Sequence, residues 1–241
     1  MKVLFAGPSL YGIEVDLEGI ALCPPAGHGD VARAVIRGAT AIGLVDGVFG
    51  ERAAVWHKEI LFALSNGVTV LGSSSMGALR AAECHTFGMR PVGVIAHRYL
   101  SGELDDDTAV ALHMAPPEFG YAPLVDALVD VEATIENMQA VGVVDSDTAR
   151  RLRHAARSLY FGDRTPGRIV EVAGIGGEQA AALAVAFKAH RVSQKERDAL
   201  ELVAELRSLP DARVPNPGTW TMAAPRMWRR VLAELQQAEG Q

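Results

Sequence analysis

Short apolar runs alternate with helical patterns over residues 1–115, and this alternation constrains the fold more than any other feature of the sequence. Helices are predicted to begin near Asp30, Glu51 and Met76. The predicted strands between them are Val3 to Ala6, Ile20 to Cys23, Ala41 to Asp46, Val68 to Gly72, and Val92 to Ile95. Strands that alternate with helices form parallel sheets of βαβ units. We therefore predict an α/β, Rossmann-like domain over residues 1–115, with helices on both sides of a parallel sheet.

The pattern changes after Pro116 and Pro117 to long runs rich in Ala and Leu. Pro166 and Pro210 fall between these runs, where we predict linkers because proline lacks an N–H and restricts its neighbour. The predicted helices lie around Leu124 to Val141, Asp147 to Tyr160, Glu178 to Arg191, Lys195 to Leu206, and Pro225 to Leu235. Residues 116–241 are accordingly predicted to form an all-helical C-terminal region.

Composition and charge argue against several classes of function. The formal net charge is −6 with no block rich in Lys and Arg, so the chain has no electrostatic attraction for nucleic acid. Its apolar runs are shorter than the roughly 20 residues of a membrane helix, and its first residues form no basic leader. Cys23 and Cys84 are too few for a disulfide framework or a zinc site. We expect a cytoplasmic protein without metal or cofactor, and without nucleic acid or membrane as a partner.

A predicted strand that passes through a Ser- and Gly-rich turn into a helix is the clearest candidate for a functional site. Such a turn, here Ser74 to Gly77, presents backbone N–H groups and the positive end of the helix dipole at the carboxyl edge of a sheet. Ser75-Met76-Gly77 is the second half of the Gly-x-Ser-x-Gly nucleophile elbow, whose first Gly is replaced by Ser73. Ser75 is a candidate nucleophile, and Ser74 and Gly77 are candidates for binding an anion. The alternative is that Ser74 or Ser75 only caps the helix.

Two further residues would complete a Ser, His, Asp set with Ser75. Asp46 ends the third predicted strand, and His57 lies in or beside the apolar stripe of the helix predicted from Glu51. Asp46 and His57 are therefore candidate catalytic residues. A histidine on an apolar stripe is also commonly a core residue with satisfied hydrogen bonds, so both interpretations stay open.

Charged and polar residues near two turns are candidates for binding an anion. Arg80 lies one turn into the helix from Met76, and Glu83 follows three residues later, a spacing at which the two pair. Arg80 is then either an anion clamp or half of a surface salt bridge. Ser9 follows the first strand in a turn that resembles a phosphate-binding turn but lacks both the G-x-G-x-x-G pattern and the P-loop Lys. Ser9 is a further candidate for anion binding, and no motif indicates a nucleotide.

The acidic run at Asp105, Asp106 and Asp107, with His97 and His113 nearby in the sequence, suggests a metal site because hard cations need several carboxylate oxygens. The spacing is not that of a metal-binding loop. A solvated loop that caps a helix is the favoured interpretation.

Several blocks of residues together resemble the TfuA-like family, over roughly residues 3–113. In chain order the blocks are Gly7-Pro8-Ser9, Pro24-Pro25, Gly29-Asp30, Asp46-Gly47-Val48-Phe49, residues 55–61, residues 74–83, Gly88-Met89 and Asp105-Asp106-Asp107. The sequence departs from the family's pattern at Thr108, where another acid is expected after the acidic run. The helical half offers no matching block.

The resemblance implies a protein that acts beside a YcaO-type enzyme, which uses ATP to activate a peptide amide oxygen so that sulfur can replace it. It also implies recruitment of a thiocarboxylated, ubiquitin-like sulfur carrier of the ThiS type, followed by hydrolysis that releases sulfide. In that reaction the turn from Ser74 to Gly77 would supply a hydroxyl and N–H donors. Arg80 would hold the anionic thiocarboxylate, and His57 or Asp46 would handle the proton.

Three other interpretations remain open at this point. The protein can be an activator that docks on the YcaO-type enzyme and never touches sulfur. It can be an unrelated α/β hydrolase of small molecules, although the nucleophile elbow is incomplete. Finally, Gly47, Gly72 and Gly77 can serve only the turns of the fold.

Overall fold

A computed structural model describes residues 1–50, 52–215 and 220–240. The chain forms two compact units. The first consists of Met1–Asp105 together with Glu196–Gln241, and the second of Asp106–Lys195. The predicted domain division between residues 115 and 116 stays a prediction, and the C-terminal residues from Glu196 pack with the sheet.

The first unit is built on a five-stranded sheet in which all strands are parallel, in the order β2-β1-β3-β4-β5. The strands are β1 (Lys2–Phe5), β2 (Ile20–Cys23), β3 (Ala41–Leu44), β4 (Thr69–Ser73) and β5 (Arg90–Val92). The predicted α/β fold is thereby confirmed. From β1 the chain adds β2 on one side and β3 on the other, so the strand order reverses at β1. Such a reversal opens a crevice outside the carboxyl ends of β1 and β3, where ligands bind in open α/β sheets.

Ten α-helices lie within the described residues, and those of the second unit confirm the predicted helical region. They are α1 (Asp30–Ile36), α2 (His57–Ser65), α3 (Met76–Cys84), α4 (Gly93–Leu100), α5 (Leu128–Ala140), α6 (Ser146–Ser158), α7 (Pro166–Val172), α8 (Gly177–Ala189), α9 (Gln194–Ser208) and α10 (Arg226–Glu239). No helix among the described residues is long and apolar enough to cross a membrane.

Both faces of the sheet are covered by helices, as predicted. Successive strand residues point to opposite faces, so Val70 and Leu71 of β4 belong to different cores. On the first face the core includes residues of α1, α2 and α3. On the second face the core includes Leu202 and Leu206 of α9. A helix from the end of the sequence therefore completes the α/β unit.

The start of α2 differs from the prediction. Glu51 lies outside the described residues, and α2 begins at His57 because Trp56 is extended, with ψ of 144°. Glu59, the third residue of the helix, accepts the Trp56 N–H at 3.1 Å and satisfies one of the donors that a helix start leaves open. His57 is therefore the first residue of a helix and not a position in its middle.

Two other segments also differ from their predicted structure. The strand predicted to reach Ile95 ends at Val92, and Gly93 begins α4 with a φ of +85° that few other residues adopt. Pro166, predicted to lie in a linker, is the first residue of α7, where its missing N–H costs nothing. Thr165 caps that helix by accepting the Arg168 N–H.

Candidate functional site

Polar residues from three separate loops meet at the carboxyl edge of the sheet. Ser9 follows β1, Asp46 follows β3 and Ser74 follows β4. Ser74 Oγ donates to Ser9 Oγ at 2.9 Å, and Ser9 Oγ donates to Asp46 Oδ1 at 2.7 Å. All three residues are buried. The structure thus brings together three of the predicted site residues, at the carboxyl ends of β1, β3 and β4.

The Asp46 carboxylate is occupied by this network. Its Oδ2 accepts the backbone N–H groups of Gly7 at 2.8 Å and Ser9 at 3.0 Å, while its Oδ1 accepts the Ser9 hydroxyl. A buried carboxylate with three donors is stably held as an acceptor. Asp46 therefore fixes the loop after β1 against the end of β3. The predicted role of Asp46 in handling a proton stays a prediction.

The two serines of the turn have different environments. Ser74 has a φ of +67°, a left-handed conformation that costs a non-glycine residue on the order of 1 kcal/mol. Its buried hydroxyl is directed to Ser9. Ser75 occupies the N-cap position of α3 without a side-chain capping bond, and its hydroxyl has no hydrogen-bond partner among the described residues. The Ser75 side chain is therefore not explained by helix capping.

Backbone contacts limit which N–H groups of the turn can stabilise an oxyanion. The N–H of Gly77 donates to the Val45 carbonyl at 3.1 Å, so it is already used. The N–H of Ala78 donates to the Ser75 carbonyl at 2.9 Å. The N–H of Met76 has no backbone acceptor within the described parts of the chain. Met76 follows Ser75 directly, so a backbone donor and a hydroxyl that both lack a partner among the described residues are adjacent in the sequence.

Gly77 serves packing as well as the turn. A Cβ at this position would lie 1.7 Å from the Leu44 carbonyl oxygen. Only glycine allows α3 to approach β3 this closely. Anion binding by Gly77 stays a prediction, whereas its structural role follows from this contact.

His57, Arg80 and Glu83 form a second cluster. Glu83 Oε2 accepts His57 Nε2 at 2.8 Å and Arg80 Nη1 at 2.6 Å. Arg80 Nε also donates to the Val55 carbonyl at 2.9 Å. Burial alone would raise the pKa of Glu83, but the hydrogen bond from His57 and the attraction of Arg80 outweigh it and lower that pKa. A carboxylate that holds a histidine fixes its ring orientation, as in catalytic and metal-binding pairs.

The predicted Ser75, His57, Asp46 set is not connected by hydrogen bonds within the described residues. Asp46 bonds to the loop after β1, and His57 bonds to Glu83. The predicted pair of Arg80 and Glu83 does form. The catalytic roles of Ser75 and His57 stay predictions.

The comparison with family models decides the family. The model described as "TfuA-like protein" matches residues 46–165. The chain belongs to the TfuA-like family. No curated protein matches the chain. The matched range begins at Asp46 and includes His57, the turn from Ser74, Arg80 and Glu83. Membership of the TfuA-like family supports a role as a partner in thioamidation, a function in which the family is known beside YcaO-type proteins.

The acidic run of this TfuA-like protein contains a local turn. Asp106 accepts both the N–H and the hydroxyl of Thr108, at 2.8 and 2.7 Å, and the hydroxyl bond is the main cause that lowers the pKa of Asp106. Thr108 stands where the family resemblance predicts another acid, and it fixes the carboxylate of Asp106. Within the described ranges no group of three or more His, Cys, Asp or Glu side chains could hold a metal ion.

Sequence reasoning missed two buried acids that support the site of the TfuA-like protein. Glu59 lies where α1 and α2 begin, and its carboxylate accepts the N–H groups of Trp56 and Ala32. The carboxylate of Asp198, in α9, accepts the Ile95 N–H, and its main-chain carbonyl accepts the Ser73 hydroxyl. Both acids occur in charged stretches that read as exposed helix faces. A spacing signal existed for Glu59, since it is the third residue of a helix, the acidic position of a capping box.

Proposed function

We propose that this TfuA-like protein supplies sulfide to a YcaO-type enzyme by recruiting a thiocarboxylated ThiS-type carrier and hydrolysing it. One observation supports the proposal above all. The Ser75 hydroxyl and the Met76 N–H are adjacent at the carboxyl edge of the sheet, and neither has an intramolecular partner among the described residues. A hydroxyl beside an available donor is the pair that acyl transfer requires.

In the proposed reaction the Ser75 oxygen attacks the carbonyl carbon of the carrier's terminal thiocarboxylate. The oxyanion that develops accepts the Met76 N–H. The intermediate then expels sulfur as hydrosulfide, which leaves the carrier joined to Ser75 by an ester. Water hydrolyses the ester, so the products are a carrier carboxylate, free Ser75 and sulfide.

The second cluster supplies charge and proton handling in the same proposal. Arg80 is held at two points, by Glu83 and by the Val55 carbonyl, and its side chain is only 14% exposed. A guanidinium fixed in this way is pre-organised to bind the anionic thiocarboxylate. Glu83 orients His57 through its Nε2 atom, which leaves Nδ1 to accept the proton of Ser75 in the proposed reaction.

The test is sulfide release from a thiocarboxylated ThiS-type carrier by the purified protein without the YcaO-type enzyme. Ser75→Ala is expected to lower kcat at least about 100-fold, and Arg80→Ala to raise KM about tenfold by removing the anion contact. Ser65→Ala is the matched control, because that exposed hydroxyl on α2 bonds to the Phe62 carbonyl of its own helix and to the distant Met222 sulfur, neither of which is a predicted site residue. Undiminished release by Ser75→Ala would remove Ser75 from the reaction.

A second candidate function is a docking activator that orders the YcaO-type enzyme without touching sulfur. It is favoured by one observation, the lack of any base hydrogen-bonded to Ser75 within the described residues. It predicts that the wild-type protein releases no sulfide by itself. Thioamide formation would still require the protein, and Ser75→Ala would leave that formation unchanged.

A further inference from the structure

Helix α9 contacts the carboxyl end of β4 through the main chain of Asp198. The hydroxyl of Ser73, the last residue of β4, donates to the Asp198 carbonyl with an oxygen–oxygen distance of 2.8 Å. Ser73 is fully buried and out of reach of water, so its hydroxyl depends on this bond for its only partner among the described residues. The end of β4, from which the turn with Ser74 and Ser75 begins, is thereby attached to α9.

The Asp198 side chain makes a second link, to the start of α4. Its Oδ2 accepts the Ile95 N–H at 2.7 Å. Ile95 is the third residue of α4, and the N-cap residue of that helix, Val92, has no side-chain acceptor of its own. Asp198 therefore caps α4 from another helix. The residue is only 1% exposed, although its position in a charged helix predicts a surface residue.

Gly93 provides the space for this link. Its φ is +85°, and a Cβ at this position would lie 2.4 Å from Asp198 Cγ. Any residue with a side chain would displace the carboxylate. The cap of α4 and the gap at Gly93 both involve the Asp198 side chain, and the Ser73 bond is made to the main-chain carbonyl of the same residue.

We propose that Asp198 is a positioning residue for the site at Ser74 and Ser75, which acts through Ser73 and the start of α4. The proposal rests on the proposed hydrolysis for its catalytic consequence. The Ser75 hydroxyl and the Met76 N–H follow Ser73 within three residues, so a shift of Ser73 moves both groups. A displacement of about 1 Å is enough to slow a reaction about 100-fold. The family match ends at residue 165, so family membership assigns no role to α9.

The test compares Ser73→Ala, Asp198→Ala and Asp198→Asn with the wild-type protein. The matched control is Glu201→Gln, an exposed acid on the same helix. Two quantities are measured, amide hydrogen exchange in peptides that cover residues 70–79, and kcat and KM for sulfide release from the thiocarboxylated carrier.

Ser73→Ala removes the bond to the Asp198 carbonyl, and Asp198→Ala removes the cap of α4, which begins next to the Ser73–Val92 pair of β4 and β5. Each variant is expected to accelerate exchange in residues 70–79 about tenfold and to leave exchange in β1 unchanged. Their kcat is expected to fall about tenfold with KM within about twofold of wild type, because carrier binding is retained while the reacting groups are displaced. Asp198→Asn keeps an oxygen for the Ile95 N–H and should stay within about threefold of wild type. Glu201→Gln should match wild type.

Unchanged exchange in residues 70–79 would overturn the proposal, as would a raised KM with unchanged kcat. Acceleration to the same extent throughout the first unit would show a general loss of stability and would also overturn it. If Asp198→Ala does not fold, Ser73→Ala decides. If the wild-type protein releases no sulfide, the proposed hydrolysis fails. Exchange alone then decides whether Asp198 holds the turn: local acceleration supports that link, and its absence overturns it.

Discussion

At the scale of single residues, the site depends on backbone positions that tolerate little change. Ser74 keeps a left-handed conformation that glycine adopts more easily, and its hydroxyl bonds to Ser9 in return. Strain of this kind persists only where the surrounding contacts maintain it. Gly77 leaves no room for a side chain, because the Leu44 carbonyl occupies the place where a Cβ would lie.

We predict that Gly77→Ala destabilises the protein by about 3 kcal/mol or more, because a Cβ 1.7 Å from a carbonyl oxygen forces α3 away from β3. Gly167→Ala is the control, since a Cβ there meets no atom of the described residues within 4 Å. In a helix this control should be neutral or stabilising by about 0.5 kcal/mol. Urea unfolding measures both, and equal midpoints for the two variants would contradict the close approach of α3.

The residues of the site could be predicted from the sequence more readily than their partners. Ser9 and Ser74 follow predicted strands and Asp46 ends one, so their positions along the chain are enough to predict them as site residues. The sequence could not show that Asp46 bonds to the loop after β1, which lies 37 positions earlier. Nor could it show that Glu83 joins His57 to Arg80, because that contact depends on where α2 begins.

At the scale of elements, the start of α2 is governed by Glu59. This buried carboxylate accepts the N–H groups of Trp56 and Ala32 and so ties the starts of α2 and α1. Burial is the largest effect on its pKa and raises it above 4.5, although the backbone hydrogen bonds act in the other direction. His57 is the first residue of α2, so the position of its ring follows from this contact.

We predict opposite pH dependences for Glu59→Gln and Glu83→Gln. Glu59 has a raised folded pKa, so the stability it contributes is present below pH 4.5 and is lost as the pH rises through the folded pKa. Glu83 has a lowered folded pKa, so its contribution is present above pH 4.5 and is lost as the pH falls. The wild-type advantage over Glu59→Gln should therefore shrink as the pH rises, and its advantage over Glu83→Gln should grow.

The measurement is the free energy of urea unfolding of the wild type and both variants between about pH 4 and pH 7.5, a range in which carboxyl groups titrate. Each variant is the control for the other, since a general effect of pH would move both differences in the same direction. Parallel slopes would contradict the pKa shifts of both carboxyl groups.

Periodicity identified the strands well because each parallel strand is a short apolar run. It failed at α4, because Val92 to Ile95 is apolar in the same way whether it forms a strand or a buried helix start. What ends the strand is the conformation of Gly93 together with a cap from Asp198, 103 positions away from Ile95. A contact of that range leaves no local pattern in the sequence.

At the scale of the whole molecule, the sheet is completed by a part of the chain that the sequence placed in a separate helical region. Leu202 and Leu206 of α9 lie against Gly43, where a Cβ would come within 2.6 and 3.0 Å of their side chains. Glycine in the middle of β3 lets α9 pack directly on the strand. The α/β unit therefore needs residues after Glu196 to bury its second face.

We predict that Leu202→Ala destabilises the α/β unit by about 3 kcal/mol, because a fully buried leucine is replaced by a cavity against the sheet. Leu22→Ala is the matched control on β2, where the leucine is 56% exposed, and it should change stability by less than about 1 kcal/mol. The free energy of urea unfolding and the rate of amide hydrogen exchange in β3 and β4 are measured for both variants. If Leu202→Ala were as stable as the control, α9 would not be part of the α/β core, and the case for Asp198 as a positioning residue would lose its structural basis.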